Sequence, residues 1–352
     1  VIKFNIPAPN TGAVAISTPQ AGYPLIEKQF VTIDGYSQPG AGPNTAAPPA
    51  DNNAVIKIYL DSSAGPEQRT VLDFPGFGLS ESAILGVLNA RGFSASGLGF
   101  LSRFTAGSDE DADIYAIALV SDSPHAHIWG NRFGLFRQGD VILPNPDLPE
   151  VYGNHALFGG RSAVANFRDA ATDPGRILYA SPLTIGVDGD GYGDVGEGNI
   201  AIGHGIAFHL QTPDTRLSGN RINVFPDGGF FDPALAPGYE TRGTIVAMEN
   251  GEGHNMLVGT DGDRVSDALE GNYYGPVRYR TYNEFWRTAT NVVVAGNSFG
   301  IGPKGGLYTN AVTLVDVRSD SWIRIGSDFN GDPTVPADEA IDRKSTRLNS
   351  SH

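Results

Sequence analysis

HIWGNRFGLF (127–136), RLSGNRINVF (216–225) and VVAGNSFGIG (293–302) share a Gly-Asn pair followed by alternating apolar positions. The pairs are Gly130-Asn131, Gly219-Asn220 and Gly296-Asn297. Glycine and asparagine tolerate left-handed backbone angles, and a buried asparagine can hydrogen-bond its counterpart in an adjacent layer. Recurrence of the pair therefore predicts a chain that turns the same corner repeatedly, in a stack of strands.

Working outward, short runs of Val, Ile, Leu and aromatics, such as VIKIYL (55–60), NVVVAG (291–296) and SWIRIG (321–326), lie between turn-forming clusters. No long apolar stretch has a helical period. A second repeat is acidic. DGDGYGDVGEGN (188–199) returns without a gap as DGDRVSDALEGN (261–272), 73 residues later, and a looser copy runs through Asp328, Asn330, Asp332 and Glu339. A 73-residue period suits about three coils of a parallel β-helix, each rising about 4.8 Å. The fold expected is all-β, a right-handed parallel β-helix in one domain over 1–341, with N-terminal coils over 1–61 and repeat coils over 126–341. A β-propeller is the runner-up, since it also repeats short strands and glycine turns. No repeat is evident over 62–125 and 140–180, where extra loops or irregular coils are expected.

VIKFNIP (1–7), PLI (24–26), VTIDGYSQPGAGPNT (31–45) and NAVIKIYLD (53–61), with the Gly-Asn coils and acidic loops, resemble a family of exported bacterial right-handed parallel β-helix proteins of the pectate-lyase-like superfold. The resemblance covers most of 1–341 and implies a secreted or cell-surface protein. The chain enters a strand pattern at Val1 without methionine, so a signal sequence or other upstream residues are expected to precede it. Residues 342–352 (DRKSTRLNSSH) break the pattern and resemble translated sequencing-adapter read-through. Without their three basic residues and one acidic residue, the formal charge moves from −15 to about −17.

That charge disfavours nucleic acid and anionic membrane as partners, because both are bound through Lys and Arg. No apolar stretch nears the roughly 20 residues of a membrane helix, and the absence of cysteine excludes disulfides and thiolate metal sites.

Carboxylates at alternate positions of a glycine-rich loop can converge on a hard cation, so calcium is the cofactor expected. In an EF-type alignment Asp188, Asp190, Asp194 and Glu197 take positions 3, 5, 9 and 12. Gly191 takes the tight-turn position, and Gly186 stands where position 1 is normally Asp. The loop also resembles thrombospondin-type calcium repeats at Asp188, Asp190 and Asp194. The second copy offers Asp261, Asp263, Asp267 and Glu270, with Arg264 at the turn position. The alternative is that the aspartates only cap turn amides.

Residues 273–287 (YYGPVRYRTYNEFWR) concentrate aromatic and basic residues. Tyr273, Tyr274, Tyr279, Tyr282 and Trp286 could stack on sugar rings, and Arg278 and Arg280 could bind carboxylates, as a uronic-acid polymer would require. Core packing is the plain alternative. His125 and His127 are read on one strand face, where a two-histidine metal pair could form; solvent-exposed or packed histidines are the commoner alternative. Arg132 and Arg221 each follow Gly-Asn, and repetition argues for a structural role. Two functions remain open: a non-catalytic extracellular module binding glycans or surfaces, calcium-stabilised, or a polysaccharide lyase or hydrolase acting on an acidic glycan. A groove holding both an arginine and a carboxylate cluster would separate them.

Overall fold

The computed structural model describes residues 1–7, 12–19, 22–62, 70–73, 80–102, 114–120, 123–134, 136–138, 141–143, 162–167, 181–204, 207–210, 212–231, 246–248, 254–260, 269–276, 281–286, 290–308, 313–318 and 323–325. Nearly all regular structure there is strand; helix is confined to the 3-10 turns Gly35–Ser37 and Asp194–Gly196. No helix among these residues is long and apolar enough to cross a membrane.

Among the described residues, twenty-five of the 27 strands fall into three sheets of nine, eight and eight. From Ser94 onward the chain visits them in rotation. Ser94–Ser96 lies in the first sheet, Leu98–Ser102 in the second and Ile114–Val120 in the third, then Ala126–Trp129 returns to the first. The cycle repeats until Ile323–Ile325, and each strand pairs in parallel with its counterpart one circuit away. This order is compatible with a parallel β-solenoid and excludes the propeller, whose blades are antiparallel. Among the described residues, antiparallel strands pair at Phe136–Gln138 with Val141–Leu143 and at Thr70–Asp73 with Ser80–Leu88, and isolated antiparallel bridges join Gly42 to Val55, Val224 to Phe230 and Ile301 to Leu307.

Alternation along each short strand sends one row of side chains inward. In the first sheet Ile33, Ala95, Ile128, Ile185, Leu217, Val258, Val294 and Ile325 stand in register. All but Ile325 are buried. Each large aliphatic chain in that row contributes about 1.5–3 kcal/mol on burial. In the second sheet Phe100 stacks on Phe133 with ring centroids 5.0 Å apart, and Tyr274 on Phe299 at 4.7 Å.

The corner between the first and second sheets organises the rest. Asn131, Asn199, Asn220, Asn272 and Asn297 occupy it in five successive circuits, each donating Nδ2 to the next Oδ1 at 2.9–3.2 Å. Each is at most 1 % exposed. The left-handed angle falls to the preceding glycine in the tight corners, at Gly130, Gly219 and Gly296, and not to the asparagine. Tight corners alternate with looped ones: Asn199 and Asn272 end the two acidic repeats. The 73-residue offset thus spans two circuits, from Leu183–Gly186 through Thr215–Ser218 to Leu257–Val258, rather than the three expected.

The region 62–125 also departs from expectation. Ser80–Leu88, Ser94–Ser96, Leu98–Ser102 and Ile114–Val120 are ordinary members of the stack. Their corner reads Ser96-Gly97-Leu98, so the Gly-Asn marker is missing although Leu98 N donates to Asn131 Oδ1 at 3.1 Å.

Candidate metal centre

The first acidic loop is inserted between the end of Leu183–Gly186 and the start of Ile200–Ile202, where tight corners have only Gly-Asn. Its backbone is shaped by its own carboxylates. Asp188 Oδ1 accepts from Asp190 N at 3.0 Å, and Asp190 Oδ1 accepts from Tyr192 N at 2.7 Å. Glu197 Oε2 accepts from Asp188 N at 3.0 Å and closes the loop. Capping of turn amides therefore operates, but it engages one oxygen of each carboxylate. Gly186, at the position normally held by Asp, ends the strand and presents its carbonyl.

That carbonyl accepts from His127 Nε2 at 2.8 Å. A carbonyl can only accept, so Nε2 carries the hydrogen and the neutral ring presents its Nδ1 lone pair. Nδ1 lies 3.8 Å from Asp188 Oδ2. Burial pulls the His127 pKa below 6.5, against the Gly186 bond and the nearby Asp188 and Asp190, which favours the neutral ring. Lone pairs facing each other across that gap are stabilised by a shared cation or proton. Metal-bound histidines characteristically donate their second nitrogen to a carbonyl, as here.

Donor atoms of His127, Asp188 and Glu197 lie within 4.8 Å of one another, and so do those of Asp188, Asp190 and Asp194. The second set is all oxygen and fits calcium; the first adds an imidazole, which suits zinc or manganese better. Asp188 belongs to both. Burial, aided by Asp188, Asp194 and Asp190 and opposed by the Asp188 amide, raises the Glu197 pKa from 4.5 to about 7. Such crowding of negative charge is relieved by a bound divalent ion. Arg216 donates Nη1 to the Asp188 carbonyl and brings a positive charge to the edge of the cluster.

Sequence reasoning missed His127 as a partner of this loop. The two-histidine pair is not formed: His125 is exposed at φ 60°, before the strand begins at Ala126. Of the second loop, Asp261, Asp263 and Asp267 lie outside the described residues, while Glu270 is buried and its carbonyl accepts from Gly219 N at 2.6 Å. Register places Arg216 before that loop, where the first has His127: His127 pairs with Thr184, and Arg216 with Leu257.

Of the aromatic surface proposed over 273–287, Tyr274 is fully buried against Phe299 and belongs to the core, because the pleat turns alternate residues inward. Tyr273 is half-buried. Tyr282 and Trp286 fall on the strand Thr281–Trp286, and Arg278, Tyr279 and Arg280 lie outside the described residues. Other rings stand beside the cluster. Trp129 is tilted against His127 at 6.0 Å and Tyr36 at 5.7 Å, and Tyr192 at the loop tip is 86 % exposed.

No protein-family model, curated protein or solved structure matches the chain. Its own residues carry any functional reading.

Proposed function

We propose that the protein is a right-handed parallel β-helix of the pectate-lyase-like kind, acting outside the cell as a non-catalytic module that binds glycans or surfaces, with a divalent cation fixing the Asp188–Glu197 loop. The observation that carries this reading is the meeting of His127, from one circuit, with Asp188 and Glu197 of the next. A cation there would tie two layers together and set Tyr192 and Trp129 on one outer flank. Calcium is the expected ion through Asp188, Asp190 and Asp194, and the weak calcium sites of extracellular modules operate at about 10⁻⁴–10⁻³ M.

One observation favours the enzyme reading, a lyase or hydrolase of acidic glycans. Arg216 stands beside Asp188, so an arginine and the carboxylates share an outer face. Its guanidinium is tethered to the loop backbone, which supports a positioning role over proton abstraction from substrate.

The deciding experiment is a thermal melt of the whole chain with calcium, manganese, zinc or chelator, repeated with Asp188, Asp190 and Asp194 changed to Asn. A cation-dependent rise in Tm that vanishes in the triple variant supports the site, and equal melts with cation and chelator overturn it. Release of unsaturated products from polyuronate by the cation-loaded protein, lost in Arg216→Lys, would replace the module with the lyase.

A further inference from the structure

A segment spanning residues 38–55 lies across the outer flank of the second sheet. Asn44 Nδ2 donates to the Val195 carbonyl at 2.8 Å, Asn52 N to the Pro226 carbonyl at 2.8 Å, and Arg132 Nη2 to the Ala54 carbonyl at 2.6 Å. Beneath it is a cleft whose polar lining comes from Asn44, Asn52, Asp194, Arg221 and Tyr273.

Arg221 is the unusual member. It is 5 % exposed, yet among the described residues its guanidinium makes one hydrogen bond, from Nη1 to the Pro226 carbonyl at 2.9 Å. Among the described residues no carboxylate lies within ion-pair distance of it; Asp51 pairs with Lys304, and Asp227 Oδ1 accepts from Gly229 N. Arginine carries five N–H donors in a planar fork, and the nitrogens that bond nothing in the protein are not sealed from the cleft, so most of its donor capacity is open to a ligand. The fork matches a two-oxygen planar acceptor. Tyr273, in register with Arg221 on the next strand, adds a phenol to the same wall.

Size narrows the ligand. The cleft measures about 30 Å³. One water needs about 10–15 Å³ by that measure, so the space holds about two waters or the two oxygens of a carboxylate, and not a sugar ring. Asp194 in the lining disfavours a doubly charged anion such as sulfate more than a singly charged one.

We propose that this cleft is a subsite for a single carboxylate, gripped by Arg221 and Tyr273, with the rest of the ligand outside. Acidic sugars are the ligand class indicated, a choice that rests on the glycan-binding reading above, whereas the carboxylate chemistry rests on Arg221 alone. It supplies the fixed arginine that an acidic glycan needs on an otherwise acidic protein.

The test is isothermal titration of the whole chain with galacturonate, galactose, acetate and sulfate. Binding of galacturonate and acetate but not galactose is expected, weakened about tenfold or more in Arg221→Lys, which keeps the charge and loses the fork. Should that variant fail to fold, Asn52→Asp places a repelling carboxylate on the rim, and loss of binding with an unchanged melt is expected. Binding of acetate without galacturonate would sustain the carboxylate subsite and reject the sugar ligand, leaving the cation melt to judge the module separately. The carboxylate subsite is overturned if neither acid binds, if galactose or sulfate binds as well as galacturonate, or if Arg221→Lys and Asn52→Asp both leave binding unchanged.

Discussion

Two kinds of corner alternate along one edge of the stack. Tight corners, at Asn131, Asn220 and Asn297, spend two residues; looped corners, ending at Asn199 and Asn272, carry the acidic repeats before the same asparagine. The column of amides is indifferent to which kind precedes it, with spacings of 2.9–3.2 Å throughout. What recurs in every circuit is architecture. Chemistry enters where a single residue departs from the repeat, as His127 does in the outward row Thr32, Ser94, His127, Thr184, Arg216 and Leu257.

The most damaging way to break the comparison is inside the column. Asn220→Ala removes the acceptor for Asn199 N and Nδ2 and the donor to the Ile185 and Ser218 carbonyls, leaving buried groups unmatched on both sides. A loss of about 4 kcal/mol is expected in urea unfolding, since each unmatched buried group costs about 1–3 kcal/mol. Glycines at the root and at the tip of the loop come next. Gly186 has φ 93°, and an added Cβ would sit 1.9 Å from the Ser218 carbonyl oxygen; Gly191 has φ 75° with nothing within 4 Å. Gly186→Ala should therefore cost about 3 kcal/mol or more, through strain plus a backbone clash. Gly191→Ala should cost about 1 kcal/mol, from strain alone. Equal losses in the two melts would mean that the loop root is no more constrained than its tip.

These contrasts show what the sequence disclosed. The corner was legible at Gly130-Asn131, Gly219-Asn220 and Gly296-Asn297, which sit next to strands whose inward residues alternate visibly, whereas Asn199 and Asn272 read only as the ends of acidic loops until the structure placed them in the same column. The circuit around Gly97 was not, since it lacks its asparagine and borrows Asn131 through Leu98 N. Asp188, Asp190, Asp194 and Glu197 were legible as one loop, being close in sequence. His127 was not, because only the parallel register brings it to Gly186 across 59 residues. The pair Tyr273-Tyr274 looked like a surface because aromatic density hides alternation, and the pleat sends only one of them outward.

Cation binding sharpens the contrast between the two loops. At a concentration one hundred times Kd, a single site should add about 2.7 kcal/mol to the parent chain. Asp188→Asn with Asp190→Asn should abolish the gain, while Asp261→Asn with Asp263→Asn should leave it, because Arg264 stands at the tight-turn position of the second loop where the first has Gly191. A gain lost equally in both double variants would show the loops to be equivalent.

Without cation, pH probes the same cluster. Glu197 binds its proton more tightly in the folded chain, at about 7 against 4.5, so its share of stability falls as pH rises between those values. His127 is shifted the other way, so its share rises as pH climbs toward 6.5. Asp188 and Asp190 face both groups, Asp194 faces Glu197, and Arg216 faces His127. In chelator, Glu197→Gln should therefore leave a melt whose Tm rises more steeply over pH 5 to 6.5 than the parent's. Parallel curves for the two proteins would remove Glu197 from the titrating cluster.

The smallest effect is expected at the strap over the second sheet. Lys304 and Asp51 form an ion pair whose side chains are 48 % and 57 % exposed. Exposed pairs of this kind contribute about 0–1 kcal/mol and are screened by salt. The strap has other anchors, since Asn44 bonds Val195, Asn52 N bonds Pro226 and Ala54 receives Arg132. Asp51→Asn should therefore shift the urea midpoint by less than about 0.5 kcal/mol, and less still in high salt. Asn44→Ala should cost more, because it leaves the Val195 carbonyl without that donor. If the order of the two variants is reversed, the strap is held electrostatically at its tip. The Arg221 cleft beneath it would then open with ionic strength, and acid binding would fall with salt faster than screening of one charge pair predicts.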